Sequence, residues 1–408
     1  MKLKQIAPMK TYKIILLLIV VSCFSLMIWW ISLSTEPTAN KVNENLLGKE
    51  MVERIEQITF LYEDLYKAAE KTSSISSGQI EISQKVIDEI EELLISKGYP
   101  VVDTDDKYPS YLENSDVLQS FLDGEMKGTA EIEIISINKS GGLIHKLLSF
   151  RDGQSLSFMT EVKWNSNSEP EMECTEKKEI LNWNTTFNGN FYYQDLESDM
   201  HYDAATLVRL NPVDKVLYDL NETYIMPIGY RSNNLFLCNW DSSNYGDLIF
   251  NDLLEYFYKI NKHEFFVANK FESTQNNNNY WKIPASFFEE TVMPYFNVSL
   301  QEFRQRGLYN ELEEIYPWQE AMGESLIYFP TLISEVTSYE QNSDGTLTIF
   351  INVMCLDIGE DCLFTHKITI QPLENENYKY LGNDITYESD VEKPPYIPRL
   401  ESQRSNNK

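Results

Sequence analysis

Residues 333–371, ISEVTSYEQNSDGTLTIFINVMCLDIGEDCLFTHKITIQ, decide the fold class. Three runs rich in β-branched and aromatic residues, 333–340, 346–356 and 362–371, read as strands. Asn342-Ser343-Asp344-Gly345 supplies turn chemistry between the first two, and Asp357 to Asp361 joins the second to the third. The reading is an antiparallel meander, closed by a short strand at 378–381. Cys355 and Cys362 would face each other near the mouth of the second hairpin, where a disulfide is geometrically allowed.

Upstream of this meander the period changes from two to three-and-four. Residues 248–258, 287–295 and 300–306 read as helices, with Ser299 placed to cap the last of them. An earlier segment repeats the plan. Helices are expected over 51–69, from 86 to a stop at Gly98 and Pro100, and over 116–122. Strands follow at 129–137, 142–150, 155–164, 179–183 and 189–193, divided by turns at Asn138 to Gly142 and at Asp152-Gly153. The fold class is therefore α+β, with two domains of helices followed by an antiparallel meander, 46–200 and 201–391. Helices packed on a curved antiparallel sheet resemble the cone-shaped nuclear-transport-factor-like fold, a fold that hosts unrelated functions. The tail, 392–408, carries Pro394, Pro395 and Pro398 and is expected to be disordered.

At the other end, residues 14–33, IILLLIVVSCFSLMIWWISL, run for twenty positions without a charge. Twenty helical residues cover a hydrocarbon core of roughly 30 Å. Lys2, Lys4, Lys10 and Lys13 precede the run, so the positive-inside rule leaves residues 1–13 in the cytoplasm as a short head. Trp29 and Trp30 then sit at the outer membrane interface, 34–45 form a polar stalk, and the bulk of the chain is extracytoplasmic. Two other readings stay open. Val20-Val21-Ser22-Cys23 has the form of a lipobox, which would make Cys23 a lipidated N-terminus, and cleavage after Ser34 would free the exterior. All three place the remainder outside a membrane.

Composition narrows the function classes. The chain has 408 residues and a net charge of −29, and removing the four cytoplasmic lysines leaves the exterior near −33. This charge argues against binding nucleic acid or anionic lipid through a general basic surface. Hydrophobic residues make up 42% of the chain, enough for true cores. Four cysteines lie in the external part, with Cys174–Cys238 a second candidate pair beside Cys355–Cys362.

Three stretches carry a family likeness. In 209–240, Tyr224-Ile225-x-Pro227-x-Gly229-Tyr230 is followed by Asn233-Asn234-Leu235-Phe236 and Trp240. In 283–318, Ile283-Pro284-x-x-x-Phe288-Glu289 leads through Tyr295-Phe296 to Tyr316-Pro317-Trp318, and 378–385 (YKYLGNDI) closes the chain's last sheet. Together these resemble a family of uncharacterised, membrane-anchored extracytoplasmic proteins of Firmicutes, a domain of unknown function. The resemblance implies a location and carries no reaction, cofactor or functional residue.

Candidate chemistry is sparse. Asp199, His201 and Asp203, with Glu197 nearby, alternate as metal ligands on a strand would, yet a solvated acidic loop is the simpler reading. Asp241, Ser243 and Gly246 fit positions of a calcium loop, whereas Tyr245 and Asp252 do not, and Asp247 serves equally as a helix cap. His263-Glu264 lacks the second histidine of a zinc-protease helix, and no nucleophile elbow, phosphate loop or dinucleotide fingerprint exists. Trp183, Tyr192, Tyr193, Tyr224, Tyr230, Trp240, Tyr280, Trp281, Tyr316 and Trp318 would suit a glycan- or peptide-binding groove, or simply helix–sheet packing. No catalytic, cofactor or metal residue is assigned. The favoured reading is a non-enzymatic binding or interaction module of the cell envelope. Membrane lipid would meet its N-terminal helix, and an envelope protein or glycan would be its partner. The alternative is an envelope hydrolase with unidentified carboxylates.

Overall fold

Alternating burial along the strands and three-and-four burial along the helices organise two cores in the computed structural model. The structure describes residues 48–400, apart from 71–73, 77–78, 105–106, 125, 127, 152, 166, 187, 197–204, 275–279, 322–331, 356–359, 392 and 394–395. The expected head, membrane span and stalk lie outside the described residues, as do Cys23, Trp29 and Trp30. No helix among the described residues is long and apolar enough to cross a membrane.

In chain order the elements are α1 (Lys49–Leu61), α2 (Glu63–Glu70), β1 (Ser74–Ser76), β2 (Gln79–Glu81), α3 (Gln84–Ser96), β3 (Val101–Asp103), β4 (Tyr111–Glu113) and α4 (Asp116–Leu122). Six strands follow: β5 (Thr129–Ile137), β6 (Leu143–Arg151), β7 (Gln154–Trp164), β8 (Pro170–Thr185), β9 (Phe191–Asp195) and β10 (Ala205–Val208). Then come α5 (Lys215–Tyr224), β11 (Trp240–Asp241), α6 (Leu254–Lys262), β12 (Glu272–Ser273), β13 (Trp281–Pro284), α7 (Ala285–Val292) and α8 (Leu300–Arg306). The last strands are β14 (Ile315–Trp318), β15 (Ile333–Gln341), β16 (Leu347–Cys355), β17 (Glu360–Pro372) and β18 (Tyr378–Glu388). The protein is thus mixed α+β.

Two compact units interleave in sequence. The first comprises residues up to 101, 131–149 and 156–177; the second comprises 102–130, 150–155 and 178–408. One eight-stranded sheet has the strand order β10-β9-β8-β7-β6-β5-β3-β4. Within the first unit, Ile55, Ile58 and Tyr62 of the α1 face join Ile87, Ile90 and Leu94 of α3 over Ile135, Leu143 and Val162 of the sheet. Tyr66 stacks on Trp164 with ring centroids 4.3 Å apart, and the indole donates to the Gly141 carbonyl at 2.8 Å. Gly142 sits where a Cβ would come within 2.6 Å of the Val162 carbonyl oxygen, so the turn before β6 needs a glycine.

The second unit holds a five-stranded antiparallel sheet, order β11-β18-β17-β16-β15, and a small sheet, β12-β13-β14. Its core is aromatic. Phe236, Phe250, Phe257, Phe288, Tyr316 and Tyr380 are all fully buried. Asp214 caps α5 by accepting from the Val216 and Leu217 amides, and Ser299 caps α8 by accepting from Glu302, each such cap contributing about 1 kcal/mol.

Two expectations differ here. Part of the segment read as a disordered tail is ordered, because Pro398, Arg399 and Leu400 are buried against the second core. The Arg399 guanidinium binds both oxygens of Glu255, at 2.7 and 3.1 Å, and the Ser232 carbonyl at 2.8 Å. A charge tethered in this way overrides the loop character that the prolines give the sequence. Cys238, Cys355 and Cys362, named as bridge partners, are thiols. A register shift between Val353 and Cys355 sets Cys355 opposite Glu360 instead of Cys362. The side chain of Cys174 lies outside those described.

Candidate functional site

A cavity of about 540 Å³ opens in the second unit, within the range of small-molecule sites. Its walls come from three short pieces of chain. The 209–214 linker leads into α5, whose Leu217, Tyr218 and Asn221 face the space; β15 gives Ile333, Ser334, Glu335 and Val336; and Asn188 and Asn190 come from the turn before β9. Backbone hydrogen bonds hold the linker: the Arg209 carbonyl accepts from the Leu112 amide at 2.8 Å, and the Leu210 amide donates to Asn190 Oδ1 at 3.1 Å. Helix α5 is tied to β15 by a reciprocal pair, Asn221 Nδ2 to the Ser334 carbonyl at 3.0 Å and Ser334 Oγ to Asn221 Oδ1 at 2.9 Å. Two rigid elements therefore flank a polar centre.

That centre is Arg209 and Glu335. Arg209 Nη1 donates to Glu335 Oε1 at 2.6 Å, and Asn188 Nδ2 donates to the other carboxylate oxygen. Both charged side chains are mostly buried. Arg209 Nε and Nη2 have no protein partner among the described residues. A guanidinium fork with unused donors, mostly desolvated, is a ready receptor for a carboxylate or a similar planar oxygen pair. Pro109, Pro212, Val213 and Met226 add apolar wall, and Asn211 adds another side-chain amide.

Two lysines neighbour the wall residues Pro109 and Asp214 in sequence. Lys107 Nζ and Lys215 Nζ lie 4.7 and 4.5 Å from the centroid of the Tyr108 ring, which meets Tyr218 edge-on at 5.7 Å. Nearby carboxylates are already engaged. Asp214 caps α5, Asp219 pairs with Lys107 at 3.0 Å, and Glu335 holds Arg209. In a chain of net charge −29, the three cations and three carboxylates named around this cavity balance one another.

Acid–base chemistry has no support in the described residues. In the first unit, Arg54 grips Glu133 through two 2.6 Å bonds, and His145 Nε2 lies 3.5 Å from the same carboxylate. Burial raises the Glu133 carboxyl, yet His145 and the Arg54 fork outweigh it and hold the group at about 2. Such a carboxylate neither gives nor takes a proton near neutrality. Burial raises Asp252 to about 6 against the pull of Arg399, but its side chain is fully buried and accepts from Tyr396 and the Arg399 amide. No substrate reaches it.

The sequence candidates scatter. Asp199, His201, Asp203 and Glu197 fall outside the described residues. The calcium-loop residues separate in role: Asp241 Oδ1 accepts from the Ser243 amide, the Ser243 hydroxyl and the Asn244 amide within its own exposed turn, while Asp252 faces Arg399. Among the described residues no group of three His, Cys, Asp or Glu side chains is arranged to hold a metal. His263 is an exposed, left-handed helix end. Tyr192, Tyr193, Tyr230, Trp240, Tyr316 and Trp318 are core residues, as the packing reading holds. No sequence pattern singles out Arg209, Asn221 or Glu335 as site residues. The one available signal is Asp214 preceding apolar residues at 216, 217 and 220, which marks α5.

Residues 48–399 match a family of unknown function, DUF6070. No curated protein and no solved structure matches the chain.

Proposed function

Belonging to the DUF6070 family of unknown function, the chain takes no reaction from its kin, and we propose that it is a non-enzymatic binding module of a Firmicutes cell envelope. In this reading residues 14–33 hold it to the membrane as a single span and the rest is extracytoplasmic. The charge-free apolar run behind four lysines supports that placement. The likeness of both halves to nuclear-transport-factor-like cones belongs to the same proposal; α5 braced on the edge strand of the β15–β18 meander supports it for the second half.

The ligand is a small molecule that carries a carboxylate beside amide or hydroxyl groups, as peptidoglycan fragments do. One observation carries this: Arg209 stands in the cavity with Nη1 fixed on Glu335, and Nε and Nη2 have no partner among the described residues. The carboxylate takes the unused edge of the fork, and the side-chain amides of Asn188, Asn190 and Asn211 meet the ligand's polar groups. Glu335 keeps the fork aimed and is not a proton carrier. Nothing supports a hydrolase.

The test is calorimetric titration of the full chain with muropeptides, beside the same compounds amidated at the carboxylate. Saturable binding is expected for the acids, at least tenfold weaker binding for the amides, and loss of binding in Arg209→Met. Equal binding of acid and amide overturns the carboxylate assignment.

A further inference from the structure

The segment after α6 presents an apolar surface framed by cations. The helix ends at His263 in a left-handed conformation, φ 55°, and the chain is extended at Val267. Side chains alternate along it. Phe266 turns inward onto Trp318, ring centroids 4.9 Å apart, and Ala268 is buried, so Phe265 and Val267 point out and are 79% and 52% exposed. Solvent-facing positions of an extended segment ordinarily carry polar residues.

Three lysines flank these two in sequence, and one of them stands over the Phe265 ring. Lys259 and Lys262 occupy the last turn of α6, where the helix dipole favours cations, and Lys270 follows on the return. Lys259 Nζ lies 5.0 Å from the Phe265 ring centroid, and Lys270 Nζ lies 5.0 to 5.7 Å from the rings of Tyr258, Phe266, Phe271 and Phe287. None of the three has a carboxylate partner among the described residues. Glu264 is the one acidic residue between 259 and 271. Glu255 and Glu272 flank the same stretch but are engaged by Arg399 and Lys282, which leaves Glu264 against the three lysines, and screening confines the field felt at a surface to about 8 Å at physiological salt.

We infer that this turn docks the chain on an anionic lipid surface. Phe265 and Val267 enter the boundary between headgroups and acyl chains, while Lys259, Lys262 and Lys270 meet lipid phosphates. Two protruding apolar side chains are too small for a stable protein interface, which takes about 800 Å² from each partner. They suit an interfacial wedge supported by lysines. This contact does not depend on residues 14–33, nor on the cavity at Arg209.

Hydrogen exchange of the full chain tests it, with vesicles of equal parts phosphatidylglycerol and phosphatidylcholine set against phosphatidylcholine alone. Amides 263–268 should exchange at least tenfold more slowly on the anionic vesicles only, and high salt should reverse this. Lys262→Gln should lower the docked-to-free ratio about fivefold. Phe265→Ser with Val267→Ser should abolish the protection while exchange across β13 and β14 stays unchanged, showing an intact fold. Identical exchange in both vesicles overturns the proposal. So does slowing that needs no lipid and grows with protein concentration, which would assign the surface to a second copy of the chain.

Discussion

Asp252 and His366 should conceal each other's pH dependence, and Asp252→Asn should uncover it. Both side chains are fully buried in the second unit. Burial raises the Asp252 carboxyl from 3.8 to about 6. Burial also lowers the His366 imidazole from 6.5 to about 4, with Asn383 Oδ1 at 2.7 Å and the Tyr230 hydroxyl at 2.9 Å occupying its two ring nitrogens. Between pH 4 and 6 the unfolded aspartate is charged while the folded one keeps its proton. Its contribution is therefore complete below 3.8 and is lost as pH rises through about 6. The histidine runs the other way: the unfolded ring is protonated and the folded ring is neutral, so its contribution is present above 6.5 and lost as pH falls towards 4. Each changes stability by about 1.4 kcal/mol per pH unit, with opposite sign, and the two nearly cancel across the window. In Asp252→Asn the histidine acts alone. Relative to wild type, the variant should lose about 2 kcal/mol of stability in the second unit between pH 6 and pH 4, because both folded-state midpoints lie at the edges of the window. Peroxide oxidation of Met354, fully buried in that unit, along a guanidinium series reads it directly. A stability difference that stays constant from pH 6 to pH 4 would refute the reasoning.

Other substitutions probe the remaining contacts. Arg399→Met removes the cation from Asp252 and Glu255 and should cost about 3 to 5 kcal/mol at neutral pH, with Asp252→Asn in the same chain recovering part of it; urea unfolding measures both. Glu133 is held at about 2, so its contribution is present above 4.5 and lost as pH falls through that range. Glu133→Gln should lower first-unit stability by about 1.5 to 3 kcal/mol at neutral pH and flatten its acid limb, as seen by exchange of β5 amides. Gly142→Ala should cost about 1 to 3 kcal/mol, because the added methyl meets the Val162 backbone oxygen and not a movable side chain; its thermal midpoint checks this.

Strongly periodic segments are legible in the residues themselves. The predicted 116–122 helix, 129–137 strand and 300–306 helix agree with α4, β5 and α8 at both ends. Boundaries drift where tertiary pairing prolongs a strand beyond its apolar run. The run at 179–183 belongs to the sixteen-residue β8, and 378–381 belongs to β18, which extends to Glu388 through a mostly polar stretch paired with β17. The 51–69 helix breaks at Tyr62, whose fully buried ring packs edge-on to Trp164, a partner distant in sequence. The cavity is illegible for the same kind of reason. Arg209 and Glu335 are 126 positions apart, and only the packing of α5 against β15 makes them neighbours. Arg399 stays hidden because a proline-rich tail carries no local mark of the buried carboxylates it will meet.

The central claim is that the Arg209 cavity receives a carboxylate. The most direct measurement is the thermal midpoint of the full chain against increasing concentrations of one muropeptide, for wild type and Arg209→Met side by side. A ligand at a hundred times its dissociation constant stabilises the folded form by about 2.7 kcal/mol. The account predicts a saturable rise of that size in wild type and none in the variant. A rise of equal size in Arg209→Met, or no rise with any carboxylate-bearing fragment, contradicts it.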